Sequence, residues 1–113
     1  MGEFVKGDVV VIAFPFSDLS ASKRRPALVI AKASESDLIL AQITSQSFYD
    51  SYTVGLDAND FSNGGLRISS NIRANKLFTA ETGIIIYKAG SLKPEKTNEV
   101  VSVIIKLLSQ EEQ

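Results

Sequence analysis

A short basic run, Lys23-Arg24-Arg25, stands directly before Pro26 and is the segment best suited to chemistry on phosphates. An arginine guanidinium keeps its proton at neutral pH, and its planar fork matches two phosphate oxygens at once. Because Arg25 stands where a polar loop meets a strand, we expect it to be fixed at its base and open to substrate. Lys23 and Arg24 are expected to hold flanking phosphates, although a solvated charge run on a loop explains them almost equally well.

The polar segment Thr44-Ser45-Gln46 follows an apolar strand and offers hydrogen-bonding groups. The Thr44 hydroxyl is suited to contact a phosphate or a sugar hydroxyl, and Ser45 and Gln46 are suited to bonds with bases. Thr44 is also a β-branched residue of the kind that strands favour, so strand propensity alone is a competing interpretation.

Aromatic side chains close to these segments are candidates for stacking on unpaired bases. Tyr49 is the best of them because its neighbours are polar. Phe16 is also a candidate, although it could equally pack in the hydrophobic core. For Phe48 a position in the hydrophobic core is favoured. Tyr52 is a further candidate.

The chain contains no Cys and no His, which excludes thiol nucleophiles, disulfides and every mechanism built on histidine. Proton transfers would fall to Asp, Glu, Lys, Tyr or water. Asp18 and Glu81 are carboxylates within reach, but neither is assigned as a general base, because an exposed carboxylate titrates too low to be efficient. Asp57 and Asp60 are interpreted as turn residues. We predict no metal site and no cofactor.

The net charge of −1 argues against a protein that coats nucleic acid non-specifically, but it allows a short single-stranded substrate in a locally basic cleft. A neutral binding module remains an alternative. No apolar run is long enough to span a membrane, and the first residues lack the features of a signal peptide. We therefore expect a soluble, cytoplasmic protein that does not associate with membranes.

Short strands separated by turn-forming residues predict a small β-barrel with one domain over residues 1–113. The β-branched strand Asp8–Phe14 is expected to be buried on both faces, and Phe16–Arg25 to form a long loop. The remaining predicted strands are Pro26–Ala31, Leu38–Thr44, Tyr52–Leu56, Leu66–Ser70, Ser70–Phe78 and Ile84–Tyr87, with a turn-rich stretch over Asp57–Gly65.

The end of the chain changes to a helical period and predicts a helix from about Pro94 to Ser109. The apolar positions expected to pack on the barrel are Val100, Val101, Ile104, Ile105 and Leu108. The fold class is thus mainly β with one C-terminal helix.

Several motifs together resemble the MazF/PemK family of toxins. Lys6-Gly7-Asp8-Val9-Val10, Phe14-Pro15-Phe16 and the run from Lys23 to Ile30 are similar to its N-terminal signature. Ile43-Thr44-Ser45-Gln46 is similar to its second motif. The segments Asn71 to Leu77 and Gly90-Ser91-Leu92 resemble its later parts, so the resemblance covers almost the whole chain.

The resemblance implies an SH3-like barrel, a homodimer and metal-independent cleavage of single-stranded RNA at short specific sequences by attack of the adjacent 2′-hydroxyl. It also implies a cognate antitoxin whose extended acidic segment occupies the RNA groove. The family's catalytic Arg and Thr correspond here to Arg25 and Thr44. The RNA-binding positions would then be Lys23, Arg24, Phe16, Ser45, Gln46 and Tyr49.

The chain departs from the plasmid-encoded branch, which carries an Arg and an Asp where this sequence has Ile68 and Ser70, and which uses a His. It is therefore nearer the chromosomal MazF branch. Two other functions stay open: a non-catalytic SH3-like binding module, and a gyrase poison of the same fold. The second is disfavoured because such toxins bind through a C-terminal Trp and this chain contains no Trp.

Overall fold

The computed structural model describes residues 3–15, 22–47 and 50–110, with residues 14–15 and 22–23 described by their backbone alone. Its elements, in chain order, are β1 (Asp8–Pro15), β2 (Ser22–Lys32), β3 (Asp37–Thr44), β4 (Thr53–Leu56), a 3₁₀ turn (Ala58–Asp60), β5 (Phe61–Gly64), β6 (Ser70–Glu81), a second 3₁₀ turn (Thr82–Ile84), β7 (Ile85–Leu92) and α1 (Pro94–Ser109).

The strands form one curled antiparallel sheet in the order β4-β6-β3-β2-β1-β7-β5. β4 and β5 are its edges, so the sheet makes a half-barrel. Register shifts interrupt the pairing of β1 with β7 and of β3 with β6. Such bulges increase local twist and let a sheet this small curl. The predicted class, mainly β with a C-terminal helix on a small SH3-like barrel, is confirmed.

The interior strand β1 is buried on both faces, as its unbroken β-branched run predicts. Val9 belongs to a core that includes Val100 and Ile104 of α1, whereas Val10 and Ile12 belong to a second core on the other face. Successive strand residues point to opposite faces, so both cores need an apolar residue at nearly every position of β1.

The helix α1 has the predicted bounds, with Pro94 in its first turn and no side-chain cap from Lys93. Its packed face is narrower than predicted. Val100 and Ile104 are buried, but Ile105 and Leu108 are 57% and 73% exposed. The prediction that these two residues pack on the barrel is therefore wrong.

Three predicted segments differ clearly from the structure, and strand pairing explains the observed bounds. β2 begins at Ser22, so Arg25 lies within a strand opposite Ile12 instead of at a loop junction. β5 occupies part of the stretch predicted as turn, while Leu66–Ser70 is not a strand before its last residue. β7 runs on to Leu92 because it pairs with β1 and β5.

The close crossing of β5 and β7 fixes the chain that follows β5. Gly64 has a positive φ of 67°, and a Cβ there would lie 2.6 Å from the Cα of Gly90. The next amide, that of Gly65, donates to the carbonyl of Ala89 at 3.1 Å. Residues 65–68 are thereby held against the sheet and directed toward the ends of β2 and β3.

No helix in the described parts of the chain is long and apolar enough to cross a membrane.

Candidate functional site

A cavity opens where β2 and β3 separate. The pairing of these strands ends at Ala27 with Gln42, but β3 continues to pair with β6 as far as Thr44 with Asn71. The gap is a cavity of about 440 Å³, a volume typical of ligand pockets. It is lined by Arg24, Arg25, Pro26, Ile43, Thr44, Ser45, Gln46, Leu66, Arg67, Ile68 and Ser70.

The structure brings together most of the site residues expected from the sequence. The basic run and the polar segment identified from the sequence both line the cavity. Arg24 and Arg25 of β2 lie on one side, and Thr44, Ser45 and Gln46 lie on the other. The described residues do not include Asp18 or three of the aromatic candidates, Phe16, Phe48 and Tyr49, and they give only the backbone of Lys23.

Arg24 and Arg25 reach the cavity in different ways. They are consecutive strand residues, so their side chains leave opposite faces of β2. Both meet the cavity because it lies beyond the part of β2 that pairs with β3, although both residues still pair with β1. Arg24 is exposed, whereas Arg25 is half-buried and its Nε is shielded from solvent. A shielded guanidinium attracts an anion more strongly than an exposed one because less water screens the charge.

Hydrogen bonds fix the backbone of Gln46 at the edge of the cavity. The Thr44 Oγ1 accepts from the Gln46 amide at 3.1 Å, and Asn71 Nδ2 donates to the Gln46 carbonyl at 2.9 Å. Because the Thr44 oxygen accepts this bond, its hydroxyl hydrogen is left to donate elsewhere. The half-buried Thr44 can therefore offer a donor to an anion in the cavity.

Asp50 anchors the other end of the loop that carries Ser45 and Gln46. Its Oδ1 accepts from the Tyr52 amide at 3.0 Å and the Thr53 hydroxyl at 2.8 Å, and its Oδ2 lies 3.4 Å from Arg73 Nη2. Tyr52 packs against the first core and bonds to Gln110 at 3.1 Å, so its ring is part of this anchor instead of a platform for bases.

The bond from the Thr53 hydroxyl is the main reason why the pKa of Asp50 lies below its ordinary value, and the Tyr52 amide and Arg73 lower that pKa further. The anchor is therefore complete above the ordinary aspartate pKa and is lost as the pH falls through the lower pKa of the folded protein. We predict that the NMR signal of the Tyr52 amide titrates at acid pH, with a midpoint below that of a free aspartate. The Asp50→Asn variant should abolish this titration, and a midpoint at or above the free value would contradict the assignment.

Arg67 is a cavity residue that the sequence analysis missed. It is exposed and comes from the segment between β5 and β6, which was predicted to be a strand. The available signal was its position just after the turn-rich stretch Asp57–Gly65, where a cation is easily presented to solvent. With Arg24 and Arg25, it gives the cavity three positive charges.

Ile68 and Ser70, which stand where the plasmid-encoded branch carries an Arg and an Asp, also line this cavity. Ile68 is 64% exposed, and the buried Ser70 donates its hydroxyl to the Ile68 carbonyl at 2.9 Å. Within residues 3–15, 22–47 and 50–110, no Asp or Glu lines the cavity. Its electrostatic character is therefore positive although the whole chain carries a net charge of −1.

The other carboxylates considered from the sequence lie elsewhere. Glu81 pairs with Asp37 at the start of β3, so about 23 Å of strand separates it from Thr44 at the end. Asp57 and Asp60 form a reciprocal capping box around the first 3₁₀ turn, which confirms their interpretation as turn residues.

Residues 5–108 match the family model described as "PemK-like, MazF-like toxin of type II toxin-antitoxin system". The chain is similar to MazE-MazF (Form-III) from Deinococcus radiodurans, with 20% identity, a TM-score of 0.76 and coverage of 95% of this chain and 97% of that one. It is also similar to an endoribonuclease in complex with its cognate antitoxin from a mycobacterial species, with 14% identity, a TM-score of 0.75 and coverage of 98% and 100%. At these identities the structural likeness establishes the fold alone. A search of curated proteins found no match.

Proposed function

Because the chain belongs to the family of PemK-like, MazF-like toxins of type II toxin–antitoxin systems, we propose that it is an endoribonuclease that cuts single-stranded RNA at short specific sequences without a metal ion. The observation that carries this proposal is the cavity between β2 and β3. There, three arginines and the Thr44 hydroxyl face a space that no carboxylate lines among the described residues.

The proposed reaction is an in-line attack of a ribose 2′-oxygen on the adjacent phosphorus. A bond forms from the 2′-oxygen to phosphorus while the bond to the 5′-oxygen breaks. The 2′ proton leaves to solvent, and the 5′-oxygen takes up a proton from water. The products are a 2′,3′-cyclic phosphate and a 5′-hydroxyl end. The nucleophile is part of the substrate, so a chain without His or Cys is able to catalyse the step.

The side chains of the cavity have separate roles in this reaction. Arg25 stabilises the negative charge that develops on the phosphorane, because its half-buried guanidinium is screened by less water than an exposed one. Thr44 donates a hydrogen bond to a non-bridging oxygen. Arg24, Arg67 and Lys23 hold flanking phosphates. Ser45 and Gln46 contact bases.

The test is to incubate the purified protein with a long single-stranded RNA in excess EDTA. Discrete fragments with 5′-hydroxyl ends support the enzyme, and sequencing these ends gives the recognised bases. Intact RNA with binding retained would instead favour the non-catalytic module. A gyrase poison of the same fold is disfavoured, since such toxins bind through a C-terminal Trp and this chain has no Trp.

The same proposal includes two protein partners. An acidic, extended segment of a cognate antitoxin would fit the positively charged cavity, and solved relatives include toxin–antitoxin complexes. A second copy of the chain would cover exposed apolar side chains such as Ile105 and Leu108. Sedimentation at micromolar concentration tests this homodimer, and a monomer there would count against it.

Replacing Thr44 by Ala is expected to slow cleavage by about tenfold to hundredfold, because one hydrogen bond to a charged group is lost. Thr44→Ser keeps the hydroxyl, both as a donor and as the acceptor for the Gln46 amide. Single-turnover rates of the two variants measure the difference. If the Ser variant is as slow as the Ala variant, Thr44 acts through the packing of its methyl group and not through its hydroxyl.

A further inference from the structure

A second cavity, of about 450 Å³, adjoins the first. Four residues line both cavities, namely Arg24, Pro26, Leu66 and Arg67. The second cavity is completed by Val11, Gly65, Tyr87, Lys88 and Ala89. The two spaces are therefore parts of one groove that runs from the end of β3, past β2, to β7.

The second cavity combines an accessible aromatic ring with an apolar wall. Tyr87 is 51% exposed, although it stands opposite the buried Val11 in the pairing of β1 with β7. Leu66 and Ala89 add apolar surface. An exposed ring beside aliphatic side chains is suited to the flat face of a nucleobase, which stacks without regard to sequence.

Charge in the groove is concentrated where the two cavities meet, because Arg24 and Arg67 line both of them. Lys88 adds little, since its Nζ lies 3.8 Å from Oδ1 of the buried Asp8. In the parts of the chain that are described, no carboxylate lines the second cavity. A phosphate that joins a nucleotide in one cavity to a nucleotide in the other would lie beside the two arginines.

We propose that the second cavity binds a neighbouring nucleotide of a single-stranded RNA, with its base stacked on Tyr87 and its linking phosphate held between Arg24 and Arg67. This inference rests on the proposed function and deepens it. Tyr87 is a binding residue here and takes no part in the bond changes.

The experiment measures binding of a 2′-O-methyl RNA pool of about ten nucleotides, which lacks the free 2′-hydroxyl needed for cleavage. Tyr87→Ala should weaken binding by about tenfold to hundredfold, whereas Tyr87→Phe should bind like the wild type because it keeps a stacking face. Tyr87→Trp supplies a reporter in a chain without Trp, and its fluorescence should be quenched when the RNA binds.

Ile86→Trp is the matched control, since Ile86 is 41% exposed on the same strand but does not line either cavity. Its fluorescence should not respond to the RNA. Unchanged affinity of Tyr87→Ala, with wild-type protein that binds and cuts RNA, would overturn the inference and leave the proposed function standing. A change in sedimentation of Tyr87→Ala would overturn it too, because Tyr87 would then contact a second copy. Wild-type protein that neither binds nor cuts RNA would contradict both this inference and the proposed function.

Discussion

Replacement of Arg25 by Ala is expected to reduce cleavage of single-stranded RNA by a factor of at least about 10²–10³, which is typical for the loss of one preoriented transition-state donor. Arg25 is half-buried and its Nε is shielded from solvent, so water screens its charge less than that of an exposed arginine and the charge acts more strongly on the phosphorane. Single-turnover cleavage in EDTA measures the loss. A variant that cuts at the wild-type rate would exclude Arg25 from the catalytic site.

Two further variants separate charge from geometry. Arg25→Lys keeps the positive charge but loses the planar fork, so most of the activity should still be lost. Arg24→Ala removes an exposed cation from the same cavity, and we expect a smaller loss that shrinks further at high salt. Thermal unfolding and sedimentation of each variant should match the wild type, which shows that activity is lost at the site and not through the fold.

Much of the fold could be predicted because its strong patterns are local. The β-branched run of β1 and the helical spacing of Val100 and Ile104 identify buried elements without reference to the rest of the chain. β5 was not predicted because its residues, Phe61–Gly64, favour turns and become a strand only by pairing with β7. The same distant pairing explains why β7 extends to Leu92.

The candidate site was predictable to a similar degree. Arg25 and Thr44 lie on antiparallel strands that are consecutive in sequence, so the end of β3 necessarily comes close to the start of β2. Arg67 reaches the same cavity through the pairing of β5 with β7, which no local pattern shows. Tyr87 was likewise assigned only to a strand, because its neighbours across the groove come from distant parts of the sequence.

Gly64→Ala is expected to lower the free energy of unfolding by about 2–4 kcal/mol, the largest stability effect that we predict for a surface position. An Ala residue is strained at a φ of +67°, and its Cβ would collide with the Ala89 carbonyl oxygen and lie 2.6 Å from the Gly90 Cα. These are backbone atoms of a paired strand, so they cannot move aside as a flexible side chain would. Urea unfolding measures the change.

Gly83→Ala provides the control, because no atom lies within 4 Å of a Cβ added there, and its stability should change by no more than about 0.5 kcal/mol. Gly64→Asn separates the two causes, since Asn tolerates a positive φ but carries the same Cβ. We expect it to be nearly as unstable as Gly64→Ala, and a stability close to wild type would show that the contact with β7 is unimportant. Arg67 stands three residues after Gly64. We therefore expect Gly64→Ala to displace Arg67 and to cut RNA more slowly than the wild type, even at temperatures where the variant remains folded.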